Sequence, residues 1–257
     1  MIKEEKRQIS SLVFEGMTSI RAIIDNLKSN VPNARKIDKI LYDKSRYDKI
    51  KKDILYLEKM SEIYSFGVLE STTEEIDSLT IGNSHGGIIA ICHEREYKTL
   101  ELGDIKENGF YVMIEGIEDP YNFGYALRSV YAAGAQGIIL SKRNWLSAAG
   151  VVCRSSAGAS ERIPIFIADD NFISLFKEKK YKVVCADIKN SKSIYEVDLK
   201  YPVFLIVGGE KRGISSSILK SADEIVRIDY ANDFKLSLSA ASASTIIAFE
   251  IMRQNMK

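Results

Sequence analysis

Three short stretches in the second half of this 257-residue chain carry residue types that can do chemistry. The first, Asp119-Pro-Tyr-Asn-Phe-Gly-Tyr-Ala-Leu-Arg128, sets an amide, Asn122, six residues ahead of one arginine in a segment otherwise small and apolar. A guanidinium is permanently cationic and presents a planar fork of donors, which suits a phosphate or a developing oxyanion. The second, Val207-Gly-Gly-Glu-Lys-Arg-Gly213, follows an apolar run. There Gly208 and Gly209 permit close backbone approach by a ligand, and Glu210 offers a carboxylate to a hydroxyl or a cation. The third runs from Ile228 through Ser237, Leu238 and Ser239 into a helical pattern. Each stretch also has a plain structural reading: a glycine turn, a serine or asparagine N-cap, an exposed helical charge.

The chemistry open to these groups is narrow. The two histidines, His85 and His93, lie outside all three stretches, so a Ser-His-Asp or zinc-hydrolase site has no histidine to use. Cys92, Cys153 and Cys185 are far apart in apolar contexts and read as buried thiols, with neither a metal site nor a disulfide framework expected. No GxGxxG or Walker pattern is present, which ranks a nucleotide-dependent oxidoreductase far behind. What remains is positioning and electrostatics from Arg, Glu, Ser and backbone groups.

The elements that must position them are those of an α/β protein. From Gly109 onward strands are expected at 110–114, 137–140, 163–167, 182–186, 203–207 and 224–228, with helices at 123–133, 145–152, 172–179 and 216–220 and a last helix over 239–254. Val203–Val207 and Ile138–Leu140 are apolar without alternation, as buried parallel strands are. In such sheets ligands bind beyond the carboxyl ends of strands, where all three stretches fall. The first hundred residues read as mixed α/β: helices at 11–27, 44–59 and from Thr73 (capped by Thr72 or Thr73), with strands at 36–42, 66–69 and 87–92. Polar, weakly periodic residues 94–108 are the expected linker.

Composition fits a soluble cytoplasmic protein: 46% apolar, 28% charged, no run long enough to span a bilayer, and no signal peptide expected from the charged first residues. The net charge of +1 hides an asymmetry, since residues 1–60 hold fourteen Lys and Arg against nine Asp and Glu. A basic region interleaved with tyrosines suits a polyanion such as RNA, and equally a solvated helical face.

Taken in order, the three stretches resemble the signature motifs of the SpoU (TrmH) family of RNA 2′-O-ribose methyltransferases, within the SPOUT superfamily. The spacing of six from Asn122 to Arg128, the Gly208-Gly209-Glu210 turn, and Ser237-Leu238-Ser239 before the last helix carry the likeness, with Ser155–Ala159 between them. Asn83–Ala90 is similar to the end of an L30e-like substrate-binding domain. The resemblance implies an L30e-like domain over 1–96, a linker over 97–108, and a catalytic domain over 109–257 whose parallel sheet ends in a trefoil knot. It implies S-adenosylmethionine held by Gly208, Gly209, Ile228 and Leu238, largely through backbone groups, and no metal. Asn122, Arg128, Glu210, Ser237 and Ser239 would form the catalytic cluster, in a homodimer whose interface includes the last helix. The implied substrate is RNA, with 23S ribosomal RNA ahead of transfer RNA and a non-catalytic RNA-binding homologue as the reading from another class. Two positions depart from the family: Ser239 stands where Asn is usual, and Ile228-Asp229-Tyr230 where Ile-Pro-Met is usual.

Overall fold

The computed structural model describes residues 12–31, 33–80, 85–141, 148–209 and 211–256. They divide into two compact units, Met1–Glu96 with Asn144–Arg162, and Tyr97–Arg143 with Ile163–Lys257.

The first unit begins with strand β1 (Val13–Glu15) and helix α1 (Gly16–Lys28). It continues through β2 (Ile37–Asp43), α2 (Tyr47–Tyr64), β3 (Gly67–Ser71), α3 (Thr73–Leu79) and β4 (Ile88–Cys92). The sheet order is β1-β4-β2-β3, antiparallel except for β2 with β3. Ile20, Ile23 and Ile24 of α1 and Ile54, Leu57 and Met60 of α2 recur at helical spacing and bury against Phe14, Ile40 and Ile88. The N-cap of α3 is Thr72, whose hydroxyl accepts from Glu75 N. One expectation fails here. Residues 13–15 are a strand paired with β4, not the first turn of a helix, and Gly16 at φ +75° makes the turn that lets α1 begin after it.

The second unit holds β5 (Phe110–Glu115), α4 (Pro120–Ala132) and β6 (Gly137–Leu140). The chain then contributes α5 (Ala149–Ser155) and α6 (Ala159–Arg162) to the first unit. It returns with β7 (Ile165–Ile167), α7 (Phe172–Glu178), β8 (Lys182–Ala186), β9 (Lys192–Ser193) and β10 (Val203–Gly208). α8 (Ser216–Ser221), β11 (Glu224–Arg227) and α9 (Ala240–Asn255) complete it. All seven strands are parallel, in the order β7-β6-β5-β10-β8-β11-β9. Phe204 and Ile206 of central β10 pack with Phe172, Phe176 and Ile218 on one face, Phe204 stacking on Phe176 at 3.9 Å. α9 packs against β10 and α4.

Two expected boundaries are corrected. Residues 97–108 are not a free linker: Leu100 N donates to Ile167 O at 2.9 Å, and Leu100 and Ile105 are buried in the core of the second unit. Residues 148–162 do not belong with the rest of 109–257. Gly150 of α5 lies so close to the Val13 carbonyl that a β-carbon would overlap it, and Gly158, at φ +83°, meets Ala22 of α1. Beneath them the Arg35 guanidinium forms two 3.2 Å bonds with the Glu161 carboxylate, with Arg95 at 3.7 Å, all three side chains buried. Arg35 also lies over the Phe14 ring. Small residues at 150 and 158 and an opposite charge at 161 dock this segment on the first unit. The part of the expected helix over 145–147 lies outside the described residues, as do residues 83 and 84 of the Asn83–Ala90 segment.

Candidate functional site

Three strands of the second unit deliver loops to one end of the sheet, and with α9 they enclose a cleft of about 410 Å³. After β8 come Asp187, Ile188 and Lys189; after β10, Gly208, Gly209, Gly213 and Ile214; after β11, Ile228, Tyr230, Ser237 and Leu238; α9 adds Ala240, Ala243 and Ile247. The β5 turn supports the floor from below: Gly209 N donates to Glu115 O at 2.5 Å, and the Glu115 carboxylate accepts from Ser215 N at 2.9 Å.

Gly208 and Gly209 are required by the chain's own backbone. A β-carbon on Gly208 would come within 2.5 Å of Gly213, and one on Gly209 within 2.5 Å of Gly116. Gly213 N closes the loop onto Gly209 O at 3.1 Å. The turn that results brings Gly208, Gly209 and Gly213 to the wall of the cleft.

Of the expected cofactor residues, Gly208, Gly209, Ile228 and Leu238 all line this cleft, and Ser237 joins them. The Leu238 N–H is already engaged, donating to the Tyr230 hydroxyl at 3.2 Å. Asn122 and Ser239 line a neighbouring groove of about 400 Å³ between α4 and α9, with Tyr125, Ser129, Ser242 and Thr245. Asp119 caps α4 by accepting from Asn122 N at 2.7 Å. Ser239 is the N-cap of α9: its hydroxyl accepts from Ser242 N at 3.1 Å and lies 3.0 Å from the Ser242 hydroxyl. Arg128 is exposed on α4 and borders neither cavity. Six residues on a helix is about 600° of rotation, so Arg128 points roughly 120° away from Asn122, whereas Tyr125 and Ser129 stay on its side. Glu210 lies outside the described residues.

Asp229, which takes the place of a proline in the motif, does not itself line the cleft, although its partner Arg227 does. It pairs with Arg227 at 2.8 Å, and the Ser193 hydroxyl together with that guanidinium holds its carboxyl below the usual range. Asp187 is the cleft carboxylate that sequence reasoning missed. It accepts from Lys189 N at 2.9 Å, which fixes the turn after β8. The signal was available: β8 was expected to end at Ala186, and the rule about carboxyl ends of parallel strands applies to it as to the others. The thiols are inert, Cys185 being pushed up to about 12 by burial. Among the described residues no cluster could hold a metal ion, and no helix is long and apolar enough to cross a membrane.

The cleft has the form a nucleoside-bearing ligand needs. Its walls at Ile188, Ile214, Ile228, Leu238 and Ile247 are aliphatic, its base is peptide backbone, and one carboxylate stands at the rim.

Comparison with known proteins gives a consistent result. Residues 109–249 match the model of the SpoU rRNA Methylase family. A provisionally assigned TrmH family tRNA/rRNA methyltransferase of Staphylococcus saprophyticus is 27% identical, covering 89% of this chain and 92% of that one. The 23S rRNA (guanosine-2′-O-)-methyltransferase RlmB of Ralstonia nicotianae is 26% identical over 86% and 90%. Among solved structures, the AdoMet-bound rRNA methyltransferase of Sinorhizobium meliloti superposes with a TM-score of 0.77 at 25% identity, covering 100% of this chain and 95% of that one.

Proposed function

The chain belongs to the SpoU rRNA methylase family, and from that premise we propose that it methylates a ribose 2′-hydroxyl of RNA, with S-adenosylmethionine as donor and 23S ribosomal RNA as substrate. The observation that carries this reading is the cleft itself, aliphatic walls over a glycine backbone at the carboxyl ends of β8, β10 and β11. The names of the Ralstonia and Sinorhizobium relatives support the choice of ribose hydroxyl, substrate and donor.

When bound, the cofactor would supply an electrophilic methyl group on a sulfonium, whose bond to sulfur breaks as the bond to the ribose oxygen forms, leaving a neutral thioether. Ile228 and Leu238, which line the cleft, would hold its nucleoside, the Gly208-Gly209 turn would lie against its polar end, and the Asp187 carboxylate would take a ribose hydroxyl. Glu210 and Ser237 orient the acceptor ribose. Arg128 is not the base: a guanidinium carries donors only and has no lone pair free to accept a proton. It clamps the neighbouring phosphate and stabilises the alkoxide that develops as the 2′-hydroxyl attacks, while a phosphate oxygen or water takes the proton. Because Arg128 faces away from Asn122, the reading includes a homodimer in which this cation serves the partner's cleft. Residues 1–96 of the first unit form the L30e-like substrate-selecting domain. β10 enters between β5 and β8 after the chain has built both, which supports a trefoil knot there, an exception to the usual unknotted chain. An RNA substrate of this kind places the protein in the cytoplasm.

Mapping ribose methylation in ribosomal RNA with and without the protein tests this. One site should disappear on deletion and return with wild type but not with Arg128→Ala. A site lost from transfer RNA instead would move the substrate, and no lost site anywhere would end the reading. The engagement of Ser239 as a helix cap favours one second reading, an RNA-binding homologue without turnover. Failure to bind S-adenosylmethionine at millimolar concentration in a calorimeter would select it.

A further inference from the structure

Tyr230 has no part in the chemistry just described, although it lines the cleft. Among the described residues that do so it is the sole aromatic ring; the other apolar ones are aliphatic. The ring is also held from two directions. Its hydroxyl accepts from Leu238 N at 3.2 Å, tying the two ends of the loop after β11 across eight residues. Its face meets the Phe234 ring at 5.9 Å and 58°. With its tip bonded to Leu238 N and its flank against Phe234, the ring borders the cleft while 36% of the residue stays exposed.

We propose that Tyr230 is the platform on which the purine ring of the cofactor rests, with the Leu238 N–H holding the platform in place. The proposal rests on the cofactor reading above and names the residue that reads the base. An aliphatic wall accepts any apolar group, whereas a rigid aromatic plane selects a flat heterocycle by stacking. One consequence concerns Leu238. With its N–H given to Tyr230, it meets the base through its side chain and carbonyl.

Calorimetric titration of S-adenosylmethionine into full-length wild type, Tyr230→Phe and Tyr230→Ala separates ring from hydroxyl. Stacking on an aromatic residue predicts a loss of affinity of roughly ten- to a hundredfold for Tyr230→Ala, with Tyr230→Phe, which keeps the ring and loses its anchor, falling between Tyr230→Ala and wild type. A second arm guards against a loop that simply collapses. In a Trp145→Phe background, Tyr230→Trp leaves one tryptophan in the chain, and its fluorescence should be quenched as cofactor saturates. Wild type that binds no cofactor would overturn the cofactor reading and this inference with it. Wild type that binds, with Tyr230→Ala equally tight, or Tyr230→Phe as weak as Tyr230→Ala, or no change in the tryptophan signal, would overturn the platform alone.

Discussion

Gly208 and Gly209 each occupy a place where a single added carbon would meet backbone rather than a movable side chain. Gly209→Ala must therefore displace the Gly116 turn, at a cost of about 1–3 kcal/mol typical of overpacking. A urea melt should show it as a lower midpoint with an unchanged slope. Gly213 is constrained differently: space is open around it, but its φ of +62° costs an L-residue about 1–2 kcal/mol. The glycine pair was visible in the sequence, and the partner of Gly209 was not, because the backbone it touches comes from a turn some ninety residues earlier. Arg128 shows the converse. It was legible by its isolation among small residues, and its exposure means that substitution should leave stability within about 0.5 kcal/mol. Arg128→Lys keeps the charge and loses the fork of donors. If a bidentate clamp on phosphate and alkoxide is the requirement, single-turnover rates should fall by about 10²–10³ with cofactor affinity unchanged. Near-normal rates for Arg128→Lys would reduce the role to a point charge.

Between residues and the whole, the informative elements are α5 and α6. They lie within the stretch that matches the family model and yet pack on the first unit. Sequence reasoning assigns contiguous stretches to domains, so it had no way to place them there. Nor could periodicity find β1 or β9, three and two residues long, since a repeat of two needs more residues to show itself. The buried Arg35–Glu161 pair makes the docking testable. Glu161→Gln leaves a buried guanidinium short of its counter-charge, a change that costs about 3–5 kcal/mol. Limited proteolysis should then cut the first unit at urea concentrations the wild type resists. Asp43, at the end of β2, gives the same unit an acid-side signature. Burial pushes its carboxyl up, but the Ser45 and Thr73 hydroxyls, Ser45 N and Arg46 outweigh that and hold it below its ordinary 3.8. A depressed carboxylate stabilises the fold above its unfolded pKa and loses that contribution as pH falls through the folded one. The advantage of wild type over Asp43→Asn should be full at pH 7 and shrink as pH falls below 3.8.

At the scale of the molecule, the parallel sheet was legible because buried parallel strands need apolar faces on both sides, and Val203–Val207 has them. The order that puts β10 between β5 and β8 was not, since strand order is a property of long-range pairing. If Arg128 takes part in methyl transfer as proposed, it serves either its own cleft or that of a second subunit. Tyr121, Tyr125 and Tyr131 of α4 and Phe249 of α9 are large exposed rings on the two helices that pack together beside the groove. A self-complementary contact through that face would bury them and carry Arg128 across a two-fold axis. Mixing two inactive proteins decides between the arrangements. Arg128→Ala keeps an intact cleft, and Ile228→Asp ruins the cleft but keeps the arginine. If the arginine acts in its own subunit, every site in a mixed dimer carries one lesion and activity stays absent. If it acts across the interface, half of a randomly reassorted population is mixed and each mixed dimer has one sound site, so about a quarter of wild-type activity should return. Reassortment verified by tagged subunits, with no recovered methylation, would return Arg128 to its own cleft and remove the need for a dimer in the chemistry.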